Sequence, residues 1–298
     1  MVVMRKFSEE TIGVILVLVS ILFYGIEPII SKYIVNTVNP LFTATISILF
    51  ASIIPLLILI NKGMVKELVK RENAVYLFFI SFFGSVVALV LFLVGVGMTS
   101  GISASLLLQI EPIYSALLGF FILKEAIGKR QVFAMFLVII GVGVIFYNGS
   151  FQINYGDVLI LATPLFYQIS HLIVKKVMKK IEEDVIIAGR FLYAAPVLLA
   201  MSTLAGANQF EVLLKPLYFS LLLLLGVSWA LGYILWVKAI KRINLSKATV
   251  IVAPYPVLSV ILAWIILSEI PSAYQITGLV LVMIGIYATG KTKSEKRA

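Results

Sequence analysis

The sequence predicts an all-α integral membrane protein: ten transmembrane helices arranged as an inverted 5+5 repeat, with both termini cytoplasmic. Three observations predict it. Long apolar runs succeed one another with short connections, basic residues fall almost entirely on one side of those runs, and the two halves of the chain match each other.

Of the 298 residues, 61% are hydrophobic and only 13% are charged. A soluble domain is about half apolar and about a quarter charged, so the composition is that of a membrane protein with the lipid bilayer as its main partner. The net charge of +10 would suit nucleic acid. The basic residues lie in short segments between apolar runs, however, so the charge is topological and no nucleic-acid partner is expected. There is no cysteine, which excludes disulfides and thiolate metal sites, and no cofactor or metal site is expected. The opening "MVVMRKFSEET" resembles a signal-peptide n-region. No small-residue cleavage site follows it, and the apolar run continues past Glu27 to Val35, so an uncleaved first span is expected. Ser8, Glu9 and Glu10 suit a helix start, where acidic groups oppose the positive end of the dipole.

Ten apolar runs are placed near 11–34, 41–60, 74–98, 102–123, 131–148, 157–174, 185–205, 216–237, 248–267 and 273–290. A helix rising 1.5 Å per residue needs about 20 residues to cross a hydrocarbon core of about 30 Å. Backbone groups in lipid must pair within the segment, so these runs can only be helices.

Basic residues fix the orientation. Arg5 and Lys6 precede the first span. The second and third spans are joined through Lys62, Lys66, Lys70 and Arg71, the fourth and fifth through Lys124, Lys129 and Arg130. Lys175, Lys176, Lys179 and Lys180 follow the sixth span, and Lys238, Lys241, Arg242 and Lys247 follow the eighth. The tail carries Lys291, Lys293, Lys296 and Arg297. That places 21 basic residues on one side against Lys32 and Lys215 on the other, with Arg190 left inside a span. Such a bias marks the cytoplasmic face.

The halves repeat at an offset of 143 to 144 residues. "GVILVLVSILFYGIEPIISK" (13–32) aligns with "GDVLILATPLFYQISHLIVK" (156–175), and "SLLLQIEPIYSALLGFFILKE" (105–125) aligns with the segment ending at Glu269. In the second pairing Pro112 meets Pro256 and Glu111 meets Tyr255. Gln131 meets Gln275, and Gly141 meets Gly285. We therefore divide the chain into a first repeat, 1–150, and a second, 151–298, which ends in a short basic tail. Each half holds five spans, an odd number, so the halves must insert in opposite senses. That plan recurs in carriers that work by alternating access.

The run "ALGYILWVKAIKRINLSKATVIVAPYPVLSVILAWIILSE" (230–269), its counterpart "ISASLLLQIEPIYSALLGFFILKE" (102–125) and "GRFLYAAP" (189–196) resemble the drug/metabolite transporter superfamily, in its ten-helix EamA-type branch. The resemblance covers nearly the whole chain. It implies a carrier that moves small metabolites, often amino acids or related compounds outward, through a central cavity lined by spans 1, 3, 4, 6, 8 and 9. It also implies an arginine in span 2 matching Arg190. Here that position aligns with Leu49.

Ionisable groups inside a span are rare and cost roughly 2.5 kcal/mol or more on insertion scales, so each is a candidate for function. Glu111 sits near the middle of span 4. It is expected to recognise an amine or to take up a proton in exchange, with Tyr255 as a hydrogen-bonding partner; the competing role is structural glue between helices. Pro112, Pro254 and Pro256 remove amide donors and leave carbonyls free for a ligand, and Pro28 makes a fourth expected helix break. Glu27 is placed about 22 Å from the cytoplasmic end of span 1, in an outer vestibule. His171, the only histidine, is placed about 21 Å from the outer end of span 6, in an inner vestibule, where it would belong to a proton pathway or to the headgroup interface. These two are not expected to meet. Arg190 lies about 9 Å inside span 7, and its side chain is expected to snorkel to the interface rather than bind an anion. Tyr24, Tyr167, Gln168, Gln109 and Trp236 complete a polar-aromatic lining suited to a zwitterionic or aromatic metabolite. Glu125 and Glu269 are expected to tie down the helices that follow them. Gly97-x-x-x-Gly101 and Gly141-x-Gly143 permit close helix contact, and Asn148-Gly-Ser150 fits a glycosylation sequon.

The reading is therefore a secondary transporter for an amino acid, an amine or a related compound, with protons as a candidate coupling ion. An organic-phosphate or nucleotide-sugar exchanger would show several basic residues at midplane depth, where this chain has acidic ones. An intramembrane enzyme would need a nucleophile–base pair or a metal cluster. The sequence has no HExxH, no aspartate-rich motif and one histidine, so the chain is not expected to be an enzyme.

Overall fold

A computed structural model describes residues 8–124, 127–149, 153–243, 248 and 251–290. Glu125, Lys247, Ser150 of the sequon and the basic residues of both termini lie outside them. Among the described residues every regular element is helical.

The first helix, α1, spans Glu9–Val35 and starts where its caps direct. Ser8 accepts a hydrogen bond from the Thr11 amide at 3.1 Å, and Glu9 and Glu10 occupy the first turn. Next comes α2 (Pro40–Asn61), with Asn39 capping the Leu41 amide and Pro40 where a missing N–H costs nothing. Helix α3 covers Arg71–Met98; Phe82–Val87 within it forms a wide π-turn that no sequence signal announces. Helix α4 has two parts, Gly101–Leu107 and Glu111–Leu123, joined by the 3₁₀ turn Leu108–Ile110. Then follow α5 (Lys129–Tyr147), α6 (Tyr155–Val177), α7 (Glu183–Leu204) and α8 (Pro216–Ile240). The last two are α9 (Tyr255–Leu267) and α10 (Ala273–Gly290).

By length and composition α1, α2, α3, α4, α6, α7 and α8 are long and apolar enough to cross a membrane, while α5, α9 and α10 are shorter apolar helices. Their outward faces expose large apolar side chains, among them Leu57, Phe121, Trp264 and Ile265. In water so much exposed apolar surface would drive aggregation; in lipid it costs nothing. Ser20, Thr43, Thr45 and Ser170 are buried inside the bundle instead.

Of the four prolines named as helix breaks, Pro112, Pro254 and Pro256 stand at interruptions and Pro28 does not. Pro112 sits at the start of the second part of α4, directly after the 3₁₀ turn. Residues 253–254 form a turn before α9, so Pro254 and Pro256 stand at a real interruption. By contrast α1 runs unbroken through Pro28, as α2, α6 and α7 run through Pro55, Pro164 and Pro196. A single proline deletes one hydrogen bond of a long ladder, and packing on neighbouring helices can hold the rest in line.

The helices pack in matched pairs. α1 lies against α8 and α9, while α6 lies against α3 and α4; α2 contacts α8 as α7 contacts α3. Two further pairs, α2 with α7 and α5 with α10, join like-numbered helices of the two halves. The α5–α10 contact brings the two backbones close together. A Cβ on Gly141 would lie 2.8 Å from the Gly278 carbonyl oxygen, and one on Gly285 would lie 2.8 Å from that of Ala134. Gly141 is thus used inside the chain, whereas a Cβ on Gly143 would meet open space.

Polar ties lie at both ends of the bundle. Where α1 begins, Glu9 pairs with Arg242 at 3.0 Å, Glu183 with Lys241 at 2.8 Å, and Asp184 with Lys62. At the other end the Glu269 carboxylate accepts from the amides of Gly101 and Ile102 at 2.9 and 3.0 Å, and Thr99 donates to Asp157. Glu269 therefore caps α4, a helix of the first half, rather than tying down α10 as expected.

Candidate functional site

A cavity of about 140 Å³ lies deep in the bundle. Helical spacing explains its walls: Tyr24, Glu27 and Pro28 form one face of α1, Tyr167 and His171 one face of α6, and Trp229, Tyr233 and Trp236 one face of α8. Glu111 and Leu108 enter from the break in α4, Val252 and Tyr255 from either side of the turn before α9. Gly84, Ser85, Leu89 and Phe92 of α3 complete the wall with Ile48 of α2 and Arg190 and Phe191 of α7. All six helices implied by the family resemblance contribute, and α2 and α7 join them.

The two interrupted helices put Glu111 and Tyr255 on the same cavity, but each is held by a different partner. Gln168 of α6 donates through Nε2 to the Glu111 carboxylate. The Tyr255 hydroxyl lies within hydrogen-bonding reach of Gln109, and its ring packs on Tyr24 with centroids 6.3 Å apart. Tyr24 in turn donates to the Gly232 carbonyl at 3.2 Å and meets Trp236 edge-on at 6.4 Å. Gln168 and Gln109 stand behind the wall, steering Glu111 and Tyr255.

The vestibule assignment of Glu27 and His171 is corrected: both line this one cavity. Counting along straight helices placed them in different thirds of the membrane, but a central cavity spans more than one turn of each helix it touches. His171 packs on Trp236 with centroids 6.3 Å apart, and its Nδ1 is buried with no partner among the described residues. The Trp229 indole N–H approaches the Glu27 carboxylate without closing an aligned hydrogen bond.

Arg190 corrects the sequence reading most. It does not snorkel; it is 7% exposed and points into the bundle. Nε donates to the Ser85 hydroxyl at 2.9 Å and Nη2 to the Gly84 carbonyl at 2.8 Å, both in the π-turn of α3. Its guanidinium carbon lies 4.1 Å from the centre of the Tyr233 ring and 5.7 Å from that of Tyr167, cation–π geometry on the nearer ring. A buried partner surface that satisfies two donors outweighs the reach to the interface. The residue of α2 that faces this cavity is Ile48; Leu49, aligned with Arg190 by sequence, is 39% exposed on the outside.

Trp229, Tyr233, Ser85 and Phe92 line the cavity and were not singled out from the sequence. Trp229 and Tyr233 carried a usable signal, since they precede Trp236 by seven and three residues and so share its helical face. Ser85 carried none, because the π-turn that turns it toward Arg190 is a product of packing.

A model of the EamA-like transporter family matches residues 11–147 and again 154–290. The chain belongs to the EamA-like transporter family. It is accordingly a multi-pass membrane protein of transporter type, within the drug/metabolite transporter superfamily. Among similar proteins is an uncharacterized transporter of Methanothermobacter thermautotrophicus, 24% identical over 92% of this chain and 85% of its own length. A probable amino-acid metabolite efflux pump of Salmonella typhimurium is 28% identical over 64% of this chain and 67% of its own. A pump of the same description in Escherichia coli is 26% identical over the same shares. A protein of known crystal structure superposes with a TM-score of 0.69 at 16% identity, over 93% of this chain and 95% of that one, which shows the shared fold.

Proposed function

We propose that this EamA-like chain is a secondary transporter that moves a small amine-bearing metabolite, an amino acid or a related compound, outward across the cell membrane by alternating access. The observation that carries the reading is the placement of two carboxylates, Glu27 and Glu111, on one cavity deep inside an apolar bundle. Neither forms an ion pair among the described residues. Charges at such depth are costly unless something compensates them, and a cationic amine on the cargo would do so. The similarity to two probable amino-acid metabolite efflux pumps supports the same cargo class.

Alternating access calls for two halves that can exchange roles. Ten membrane crossings in an inverted 5+5 repeat, 1–150 and 151–298, with both termini cytoplasmic, would provide them. The repeated match to the family model, the paired helix contacts and the one-sided basic residues support this arrangement. Glu111 and Glu27 are also the groups suited to carry a proton back in exchange for the amine.

The test is a cargo screen with the purified chain in proteoliposomes, using amino acids, amines and sugar phosphates. Wild type is expected to exchange at least one amine-bearing compound, and Glu111→Gln to lose that exchange while still inserting and folding. Unchanged counterflow in Glu111→Gln would overturn the central role of this cavity. Flux that ignores an imposed pH gradient would reject proton exchange and leave facilitated diffusion.

A further inference from the structure

The cavity is polarised, and Arg190 marks its second pole. The acceptor groups sit on α1 and α4, as Glu27 and Glu111; the donor groups sit on α7 and α8, as Arg190, Trp229, Tyr233 and Trp236. On the donor side Arg190 Nη1, Trp236 Nε1 and the Tyr233 hydroxyl are buried without a hydrogen-bond partner among the described residues, while Trp229 Nε1 faces the Glu27 carboxylate. Buried donors left open in this way are uncommon, and several converging on one cavity call for a ligand that supplies acceptors.

Arg190 is seated more carefully than a structural tie requires. The Ser85 hydroxyl and the Gly84 carbonyl fix Nε and Nη2, and the Tyr233 ring covers the face of the guanidinium. Two of its five N–H donors are thereby used, and the plane of the fork is set with Nη1 left over. The seat itself depends on Gly84, where an added Cβ would lie 2.5 Å from Ser170 Oγ and 3.2 Å from Arg190 Cζ. Wide π-turns of this kind recur at functional sites. No carboxylate lies within ion-pair distance of the guanidinium among the described residues; Glu27 acts on it only from across the cavity, which leaves room for a cargo carboxylate beside Nη1.

We infer that Arg190 is the carboxylate subsite of this cavity, and that the chain therefore selects zwitterions over amines bearing the same side chain. The inference rests on the transport reading above. With the cargo amine at Glu27 and Glu111 and its carboxylate at Arg190, both signs of buried charge are neutralised by one occupant. A forked guanidinium suits a planar carboxylate better than a point charge does.

The experiment compares matched pairs that differ only in the carboxylate: leucine against isopentylamine, and phenylalanine against phenethylamine. Competition for exchange in proteoliposomes, and quenching of the cavity tryptophans, read the affinity of each. In wild type the amino acid is expected to win by at least about tenfold in one pair, the scale on which a charged hydrogen bond in a buried site counts. In Arg190→Gln that preference is expected to fall to near unity. Should the glutamine variant fail to assemble, Arg190→Lys keeps the charge but not the fork, and a reduced preference is expected there. A purely structural arginine would lower all affinities together and leave the preference intact; that result, or a wild type preferring the amine, overturns the inference. A wild type that recognises none of the four compounds, nor any other amine-bearing one, overturns the transport reading and this inference with it.

Discussion

Gln168 of α6 donates a hydrogen bond to the carboxylate of Glu111 at the break in α4. This contact joins the two halves of the chain at the cavity wall and fixes the direction of the only charged group that α4 brings there. Removing the carboxylate and removing its orienting amide should differ in degree. Glu111→Gln is expected to abolish cargo exchange, whereas Gln168→Leu, which leaves the charge in place, should weaken affinity by about fivefold to tenfold, near 1 kcal/mol for one hydrogen bond. Counterflow rates and apparent affinities of the two variants check the order; equal defects would show that Gln168 does more than orient.

Glu269 satisfies two amides at the start of α4 from the far end of α9. Free N–H groups at a helix start carry partial positive charge, and a carboxylate there is stabilising. Glu269→Ala should lower unfolding free energy by about 1–2 kcal/mol, and Glu269→Gln by less. Thermal unfolding of the purified variants in detergent measures both.

The α5–α10 contact offers a matched pair of glycine substitutions. A Cβ on Gly278 would sit 2.6 Å from the Gly141 carbonyl oxygen and 2.4 Å from Ile145 Cγ1, so Gly278→Ala must push the helices apart. A cost of about 1–3 kcal/mol is expected. Gly143 lies two residues from Gly141 on the open face, where Gly143→Ala should be neutral or stabilising by a few tenths of a kcal/mol. Melting temperatures that moved equally in the two variants would contradict the packing.

Lys62 hydrogen-bonds the buried carboxylate of Asp184 and thereby ties α2 to α7 where α1 begins. That bond raises the Lys62 pKa above the ordinary lysine value of 10.5. A raised lysine stabilises the folded chain fully below its ordinary pKa and loses that contribution as the pH climbs through the folded value. Lys62→Gln should therefore be less stable than wild type at neutral pH, with the two converging above the lysine range. Thermal unfolding at pH 7 and at high pH makes the comparison.

Several features of the site could be read from residues alone. Glu111, Glu27, Tyr24, Tyr167, His171, Trp236 and Tyr255 all reach the cavity, because ionisable and aromatic groups within apolar runs stand out against their neighbours. Pro112 lies directly after the 3₁₀ turn of α4, and Pro256 in the first turn of α9 directly after an interruption. Pro28 misled, since whether a helix yields at a proline depends on what packs beside it. Arg190 misled for a related reason: counting residues gives its distance from a helix end but not the partner waiting across the gap.

By itself the sequence determined the all-helical membrane architecture, the transporter class and most of the side chains that could matter, since hydropathy, charge distribution and internal similarity are properties of the chain in order. Only the tertiary structure decided that Glu27 and His171 share one cavity, that Gln168 rather than Tyr255 holds Glu111, and that Arg190 turns inward onto a π-turn of α3. Those are relations between helices far apart in sequence, set by packing and by the need to satisfy buried donors, and no local pattern carries them.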